Sequence, residues 1–420
     1  MTNHFTSLAI ALLFAACDSG PSAANDSQRS ADFGKASEPP TQVARFLIVV
    51  NSDYATTAIS VLDMADMATA DGQTIPPFAS HVLHSGTKVG ATSTALSGDV
   101  VLAHSSPGQR HALLIDRATG VLTQFDPRSL TVIRQISVAT GFYSNPQDVL
   151  ALASSDWLVS RMGRNPHPTA DLTDYDDGDD VVRLRDTTIV GRIGLQSFAT
   201  SSGYIAGPQQ LAQGLGAIWL PVGSFSADFK AQGAARVVNL NATGTDIGAP
   251  VDLAAARNCV SVRPCSAERL VVACQGSFAK NADQISESAI FALEGASTAI
   301  VARKIAHADT QSGPWSRDFA CAEAVVFAVS LGDLTTGRAD QLWQIDSASG
   351  SRSLMAQASE PFGFSGIWFD NHRRVLWVGE RNRKAGDLRR WSVPVGGSAL
   401  EGSSMRSNPT GLGAVDLGGT

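Results

Sequence analysis

The densest group of residues able to do chemistry is an acidic segment in the first half of the chain. Residues 171–180 read Asp-Leu-Thr-Asp-Tyr-Asp-Asp-Gly-Asp-Asp, with six aspartates in ten positions. Hard cations such as Ca²⁺ take several carboxylate oxygens from one loop, so Asp174, Asp176 and Asp179 are candidate metal ligands. The spacing departs from the calcium-loop pattern, because a threonine and a tyrosine stand where ligands belong. We therefore favour a solvated connector between two strands, with a metal site as the alternative.

The N-terminal residues predict export and attachment to lipid. Residues 6–16 form an apolar stretch too short for a permanent membrane helix, and it ends in small residues before Cys17. Phe14-Ala-Ala-Cys resembles the bacterial lipobox, in which the cysteine is lipidated, although leucine is usual at the first position. We predict a lipoprotein signal peptide over residues 1–17 and a disordered tether over residues 18–42. A cleaved secretory signal without lipid is the alternative.

The other four cysteines indicate disulfides, because an even number in an exported chain favours pairing over metal binding. Cys259 opens one predicted strand and Cys274 closes the next, with the turn midway between them. Cys265 and Cys321 occupy comparable turns of consecutive repeats. We predict the pairs Cys259–Cys274 and Cys265–Cys321. A zinc site is the alternative, and the absence of a C-x₂-C spacing disfavours it.

A hairpin pattern repeats along the chain and is incomplete at both ends. Asn145-Pro-Gln-Asp-Val leads into an apolar strand that starts at Trp157, and the same opening returns at Gly207-Pro-Gln. Asn408-Pro-Thr-Gly repeats the first half near the C-terminus, with no partner strand after it. Arg45-Phe-Leu-Ile-Val-Val-Asn is a strand with no partner before it. The two incomplete halves predict a ring closed by its termini.

The spacing of the repeats predicts the number of blades in that ring. Apolar runs of four to eight residues alternate with Gly, Asp, Asn and Ser, which is typical of short strands. One unit shows four such runs, at 147–152, 157–161, 180–185 and 188–195. The first strands of successive units begin near Ser97, Asn145, Gly207, Asn258, Ser316, Gly363 and Asn408. We predict an all-β, seven-bladed β-propeller over residues 43–420, closed by the C-terminal strand joining the N-terminal blade.

The third unit resembles the YVTN-type bacterial β-propeller repeat. The likeness rests on Asn145-Pro-Gln-Asp-Val, Trp157-Leu-Val-Ser-Arg, Asp179-Asp-Val-Val-Arg-Leu and Gly191-Arg-Ile, although the four letters themselves never occur. It extends over roughly residues 43–417, and the chain is also similar to uncharacterised propeller lipoproteins of bacterial envelopes. The resemblance implies the fold and leaves the activity open, because propellers include hydrolases, lyases, dehydrogenases and binding proteins.

Propeller geometry then selects a candidate binding surface. With strands A to D counted outward from the channel, the B–C loops and the D–A connections emerge on one face. The B–C loops are long and polar, at 162–179, 223–234, 276–287 and 331–339. Loops on a rigid scaffold are where recognition usually occurs. The candidate binding residues on this face are Tyr143, Asn145, Gln147, Arg161, Gln209, Asn258, Gln275, Trp315, Phe362 and Arg381.

These observations favour a binding protein at the cell envelope, in the periplasm or on the cell surface, whose partner is a protein, a peptide or a glycan. The net charge is −7 and no basic cluster is present, which disfavours nucleic acid. The sequence contains no G-x-S-x-G, G-x-x-x-x-G-K or C-x-x-C-H motif, and we expect no cofactor. The alternative is a metal-dependent hydrolase or lactonase that uses Asp148, Asp179 and Glu380 at the channel mouth.

Overall fold

The computed structural model describes most of the region predicted to fold. The described residues are 44–52, 55–64, 78–85, 96–103, 111–153, 155–253, 255–278, 282–296, 299–381, 387–394, 400–401, 405–406 and 411–416. The predicted signal peptide, the lipidation site Cys17, the tether and Asn408 lie outside them. Among the residues just given, none of the helices has the length and apolar character needed to cross a bilayer.

Seven small antiparallel sheets form the blades of a propeller, which confirms the predicted fold class. Blade 1 contains β1 (Ala44–Ser52), β2 (Thr57–Asp63) and β3 (Phe78–His84). Blade 2 contains β4 (Val100–Leu102), β5 (Ala112–Asp116), β6 (Val121–Asp126) and β7 (Thr131–Ser137). Blade 3 contains β8 (Pro146–Ala153), β9 (Asp156–Arg164), β10 (Gly178–Arg185) and β11 (Thr188–Gly194).

Blade 4 differs from the others by a small extra sheet beside it. A 3₁₀-helix (Gln196–Phe198) and β12 (Tyr204–Ile205) lead into β13 (Ala212–Gly214) and β14 (Ala217–Val222). The blade then continues through β15 (Phe225–Ser226), β16 (Arg236–Leu240) and β17 (Val251–Asp252). Because β12 pairs with β15, the extra sheet joins the connection before the blade to its B–C loop.

Blades 5 to 7 return to the regular pattern. Blade 5 contains β18 (Cys259–Ser266), β19 (Arg269–Gln275), β20 (Ser288–Glu294) and β21 (Val301–His307), with α1 (Ala282–Glu287) in its B–C loop. Blade 6 contains β22 (Trp315–Ala322), β23 (Val325–Ser330), β24 (Gln341–Asp346) and β25 (Arg352–Gln357). Blade 7 contains β26 (Phe364–Asp370), β27 (Val375–Glu380), β28 (Asp387–Ser392), β29 (Leu400–Glu401) and β30 (Met405–Arg406).

The ring is closed as predicted, by the last strand of the chain. β31 (Gly411–Asp416) pairs antiparallel with β1 and supplies the innermost strand of blade 1. The register places Val49 opposite Leu412 and Ile48 opposite Gly413. An unpaired inner edge on β1 would offer free N–H and C=O groups to other chains, so this pairing removes an aggregation risk.

Packing between blades explains the repeated tryptophans. Trp157, Trp219 and Trp377 occupy equivalent B strands, and each is at most 2% exposed. Their repetition therefore reflects the hydrophobic contacts between neighbouring sheets, which supply most of the folding free energy. Both predicted disulfides are confirmed: Cys259–Cys274 joins two strands of blade 5, and Cys265–Cys321 joins blade 5 to blade 6.

The Asn and Gly residues that precede several inner strands have a conformational cause. Asn145, Gly207 and Asn258 come just before the inner strands of blades 3, 4 and 5, and their φ angles are +44°, +63° and +51°. Left-handed backbone of this kind is adopted most readily by glycine and, among other residues, by asparagine. The chain turns sharply from an outer strand to the next inner strand. This turn favours asparagine or glycine, the two residue types found at these positions.

Candidate functional site

The candidate site is the face that carries the D–A connections and the B–C loops, which we call the upper face. In blades 3 to 6 its B–C loops span residues 165–177, 223–235, 276–287 and 331–340. These are close to the loops expected from the sequence. The other face carries the A–B and C–D turns, several of which are tight.

Large apolar side chains are exposed on the upper face, one from each B–C loop of blades 3 to 6 and one from the D–A connection before blade 3. Their exposed fractions are 60% for Tyr143, 77% for Leu172, 40% for Phe229, 50% for Phe278 and 70% for Leu334. Tyr143 lies in a D–A connection and the other four lie in consecutive B–C loops. Single exposed apolar residues are ordinary, and five others lie on the outer strands or in a C–D turn, at Leu130, Ile133, Val190, Val301 and Leu354. The upper face differs in carrying one on each of four consecutive B–C loops, which favours a contact surface there.

Three phenylalanines of this face form an aromatic cluster across blades 4 and 5. The ring of Phe225, which is 2% exposed, lies 5.8 Å from the ring of Phe229 and 5.9 Å from that of Phe278. The rings of Phe225 and Phe278 are stacked, with an interplanar angle of 15°. Such pairs stabilise beyond the area they bury. The aromatic cluster thus presents two exposed rings on one buried ring.

Glycines make room for the buried ring of the aromatic cluster. A Cβ atom on Gly207 or on Gly223 would come within 2.3 Å of ring atoms of Phe225. Gly207 also has a positive φ, so glycine is required there for two independent reasons. The ring is therefore fixed by backbone on two sides.

Gln232 fixes the position of Phe278 relative to blade 4. Its side-chain Oε1 accepts a hydrogen bond from the backbone N–H of Phe278 at 2.8 Å, and its backbone carbonyl accepts from Arg257 at 2.7 Å. Arg257 also forms an ion pair with Glu287, with Nε and Oε1 2.5 Å apart. The exposed rings consequently sit on a preorganised frame, which lowers the entropy lost on binding.

The acidic segment runs through the B–C loop of blade 3 into the start of β10, and Asp174 and Asp176 brace the loop itself. Asp176 accepts hydrogen bonds from the backbone N–H of Thr169 at 3.0 Å and from the side chain of Asn165 at 3.2 Å. Asp174 accepts from the hydroxyl of Thr169 at 2.8 Å. Asp179 turns away from both, towards blade 4. No group of three His, Cys, Asp or Glu side chains able to hold a metal ion occurs among the described residues.

The ten residues predicted to bind are placed on the upper half of the blades, but few of them reach solvent. Tyr143 is the one that is clearly exposed. The partly exposed residues are Asn145, Gln275, Phe362 and Arg381. The buried residues are Gln147, Arg161, Gln209, Asn258 and Trp315. Their binding role stays a prediction.

Arg161 shows what the buried members of that set do in the structure. Its guanidinium forms a two-point ion pair with Asp180, with nitrogen–oxygen distances of 2.8 Å. The same group donates to the carbonyl of Val138, the hydroxyl of Thr140 and the carbonyl of Tyr175. This side chain therefore fixes the acidic loop and the preceding D–A connection to blade 3.

The three carboxylates of the hydrolase alternative accept hydrogen bonds in two parts of the ring: Asp148 and Asp179 at the entry to blade 4, and Glu380 at blade 7. Asp148 accepts from the backbone N–H of Leu211 at 2.8 Å. Glu380 accepts from Ser359 and from Arg389, the latter at 3.0 Å. Each carboxylate thus contacts a neighbouring strand or connection. The hydrolase alternative stays a prediction.

Asp179, the third of these carboxylates, belongs to a repeated joint between blades. Its two oxygens accept from the backbone N–H groups of Ala206 and Gly207, at 2.8 and 2.9 Å, where the chain enters blade 4. Asp340 does the same for blade 7, as the acceptor for Phe362 at 2.8 Å and Phe364 at 3.0 Å. Burial raises the pKa of both carboxyls to about 6. Two structurally equivalent aspartates thus link neighbouring blades by hydrogen bonds.

A shallow polar groove of about 400 Å³ borders the acidic loop on the same face. Arg164 and Tyr204 stand at its ends, and Gln196, Thr200 and Ser201 contribute to its lining. The groove therefore offers hydrogen-bonding groups beside the apolar side chains of the loops.

Sequence reasoning expected the upper face and missed the residues that dominate its exposed surface. Leu172, Phe229, Phe278 and Leu334 all lie in the B–C loops that were described as polar. The available signal was the presence of large apolar residues inside hydrophilic loops, where burial in a blade is not expected.

Comparison with known proteins supports the fold and does not identify a function. No family model and no curated protein matches this chain. A "hypothetical selenium-binding protein" of Sulfolobus tokodaii aligns with TM-score 0.53 and 10% identity over 89% of this chain and 95% of that one. Two proteins called "putative 6-phosphogluconolactonase" also align. The protein from Bacteroides fragilis gives TM-score 0.55 and 8% identity over 91% and 100% of the two chains, and that from Bacteroides uniformis gives 0.52 and 11% over 89% and 100%.

Proposed function

We propose that this protein is a non-catalytic binding protein of the bacterial cell envelope, anchored by lipid at Cys17, that binds another protein or a peptide on its upper face. The observation that carries the proposal is the set of exposed apolar side chains on consecutive loops of that face. An apolar contact of this kind favours a protein or peptide partner over a glycan, because protein interfaces are rich in buried aromatic residues.

The arrangement of the aromatic cluster supports recognition by preformed contacts. Phe229 and Phe278 stand on the fixed ring of Phe225, with the polar groove and the hydrogen-bonding loops around them. A central apolar contact with a polar rim is the usual anatomy of a specific interface. Where such aromatic residues are the hot spots of an interface, truncation of one removes about 2 kcal/mol or more of binding free energy.

The proposal is tested with a double variant, Phe229→Ser with Phe278→Ser, in the full-length chain. After cross-linking in intact cells, the partner is recovered from detergent-solubilised envelope and identified, and its affinity is measured with purified proteins. We expect the double variant to weaken that affinity by at least thirtyfold, because two exposed rings are lost from the contact.

The matched control is Val301→Ser with Leu354→Ser, which removes two exposed apolar side chains from the outer strands of blades 5 and 6. This control keeps the wild-type affinity if the upper face is the contact surface. Equal loss in both double variants contradicts the proposal. Turnover of a lactone by the wild-type chain, unchanged in Phe229→Ser with Phe278→Ser, would replace it with the hydrolase alternative.

A further inference from the structure

Two arginines lie on the innermost strands of adjacent blades, next to the central channel. Arg263 lies in β18 of blade 5, and Arg317 lies in β22 of blade 6. The hydroxyl of Ser261 donates to the backbone carbonyl of Arg317 at 2.8 Å, so the two strands are fixed side by side at this level. Both arginines are partly exposed, although their strands are otherwise largely buried.

Neither guanidinium has an ion pair or a side-chain hydrogen bond with another described residue. The Nε of Arg263 is buried and lacks an acceptor within that part of the chain. Its Cζ lies 5.2 Å from the centroid of the Phe319 ring, which orients the group by a cation–π contact. A buried donor without an acceptor costs about 1–3 kcal/mol.

Two other arginines, Arg161 and Arg117, are buried and paired. Arg161 is satisfied by Asp180 and three further acceptors. Arg117 binds Asp99 and also donates to Gln147 at 3.4 Å. The fold thus supplies carboxylates to arginines that serve structure. Within the described ranges, Arg263 and Arg317 have no such carboxylate partner, which favours a role in binding a ligand over a role in holding the fold.

The nearest carboxylates are turned to other partners. Asp318 accepts from the hydroxyl of Ser316 at 3.0 Å, and Asp148 accepts from the N–H of Leu211. Their charges nevertheless act on both arginines, as do those of the Arg117 region on Arg317. Burial lowers the pKa of Arg263 to about 10, and the group therefore remains cationic at neutral pH.

We propose that the channel binds an oxyanion, the carboxylate or phosphate group of a small molecule, between Arg263 and Arg317. Two guanidinium groups on neighbouring strands offer paired N–H donors, and their planar forks match the oxygens of such an anion. An anion there would also accept from the Nε of Arg263. This site is separate from the aromatic cluster and does not depend on the proposed partner.

The test is calorimetric titration of the full-length chain with inorganic phosphate and, separately, with succinate. These two arms distinguish a phosphate site from a carboxylate site. We expect one of the two anions to bind, and we expect Arg263→Met with Arg317→Met to weaken it at least tenfold. Arg263→Lys with Arg317→Lys keeps the charges and loses the forks, so an intermediate loss is expected.

Arg128→Met with Arg185→Met is the control for net charge, because both residues are exposed beside the C–D turns of blades 2 and 3 on the other face. It leaves the affinity for the anion unchanged. Absence of binding of both anions to the wild-type chain, or equal affinity in the methionine variant, overturns the proposal. If the methionine variant fails to fold, the lysine variant decides the question by the same readout. Loss of the protein partner has no bearing on this result.

Discussion

The contacts that join blade 5 to blade 6 and blade 6 to blade 7 use different chemical groups for the same role. Each must satisfy backbone N–H groups where the chain enters an inner strand. At the first joint the hydroxyl of Ser288 accepts from Trp315 at 2.8 Å, and a disulfide joins the two blades elsewhere. At the second, the carboxylate of Asp340 accepts from three backbone groups. A carboxylate accepts more hydrogen bonds than a hydroxyl. Because this carboxylate is buried, the stability that it contributes depends on pH.

The largest expected loss of stability comes from removal of the disulfide between blades 5 and 6. Replacement of Cys265 and Cys321 by serine removes a cross-link over 56 residues and is expected to lower the free energy of unfolding by about 4 kcal/mol. The Cys259–Cys274 pair spans 15 residues and is expected to contribute about 3 kcal/mol. Urea unfolding of both double variants without reductant measures the difference. A larger loss from the pair within blade 5 would contradict this ranking.

The second test compares the two acceptors directly. Asp340→Ala leaves three N–H groups without their acceptor, and we expect the free energy of unfolding to fall by about 3 kcal/mol, because each loss costs about 1–3 kcal/mol and removal of the buried charge offsets part of it. Ser288→Ala leaves only the N–H of Trp315 and should cost about 1 kcal/mol. The midpoints of urea unfolding at pH 7 report both. If Ser288→Ala lowered the stability more than Asp340→Ala, the disulfide would not be supporting the contact between blades 5 and 6.

The smallest effect is the pH dependence of the aspartate joints. Burial raises the pKa of Asp179 and Asp340 to about 6, above the value in the unfolded chain, so the folded protein binds protons more tightly. The stability that these groups contribute is present in acid and is lost as the pH rises through about 6. From pH 7 to pH 5 we expect a gain of about 1 kcal/mol from each carboxyl.

Asn variants at the two positions provide the control for that pH profile. Asp179→Asn with Asp340→Asn removes both titrating groups, so the gain between pH 7 and pH 5 should disappear. An unchanged profile in this variant would assign the pH dependence to other groups.

The sequence predicts the ring well and the contact surface poorly, for physical reasons. Strand periodicity and the Asn-Pro and Gly-Pro pairs are local properties, and they gave the seven blades, the closing strand and both disulfides. The exposure of Phe278 depends on Gln232 of the preceding blade, which no local pattern reveals. Asp179 looked like a ligand within an acidic loop, but the direction of its side chain is set by backbone groups almost 30 residues away.

The pairing of β31 with β1 also imposes an order on assembly. The inner edge of β1 stays unpaired until residues 411–416 dock on it, so a folding chain carries one bare strand edge until the ring closes. Such edges attract other unfolded chains. Ring closure is therefore the step at which correct folding competes with association between chains.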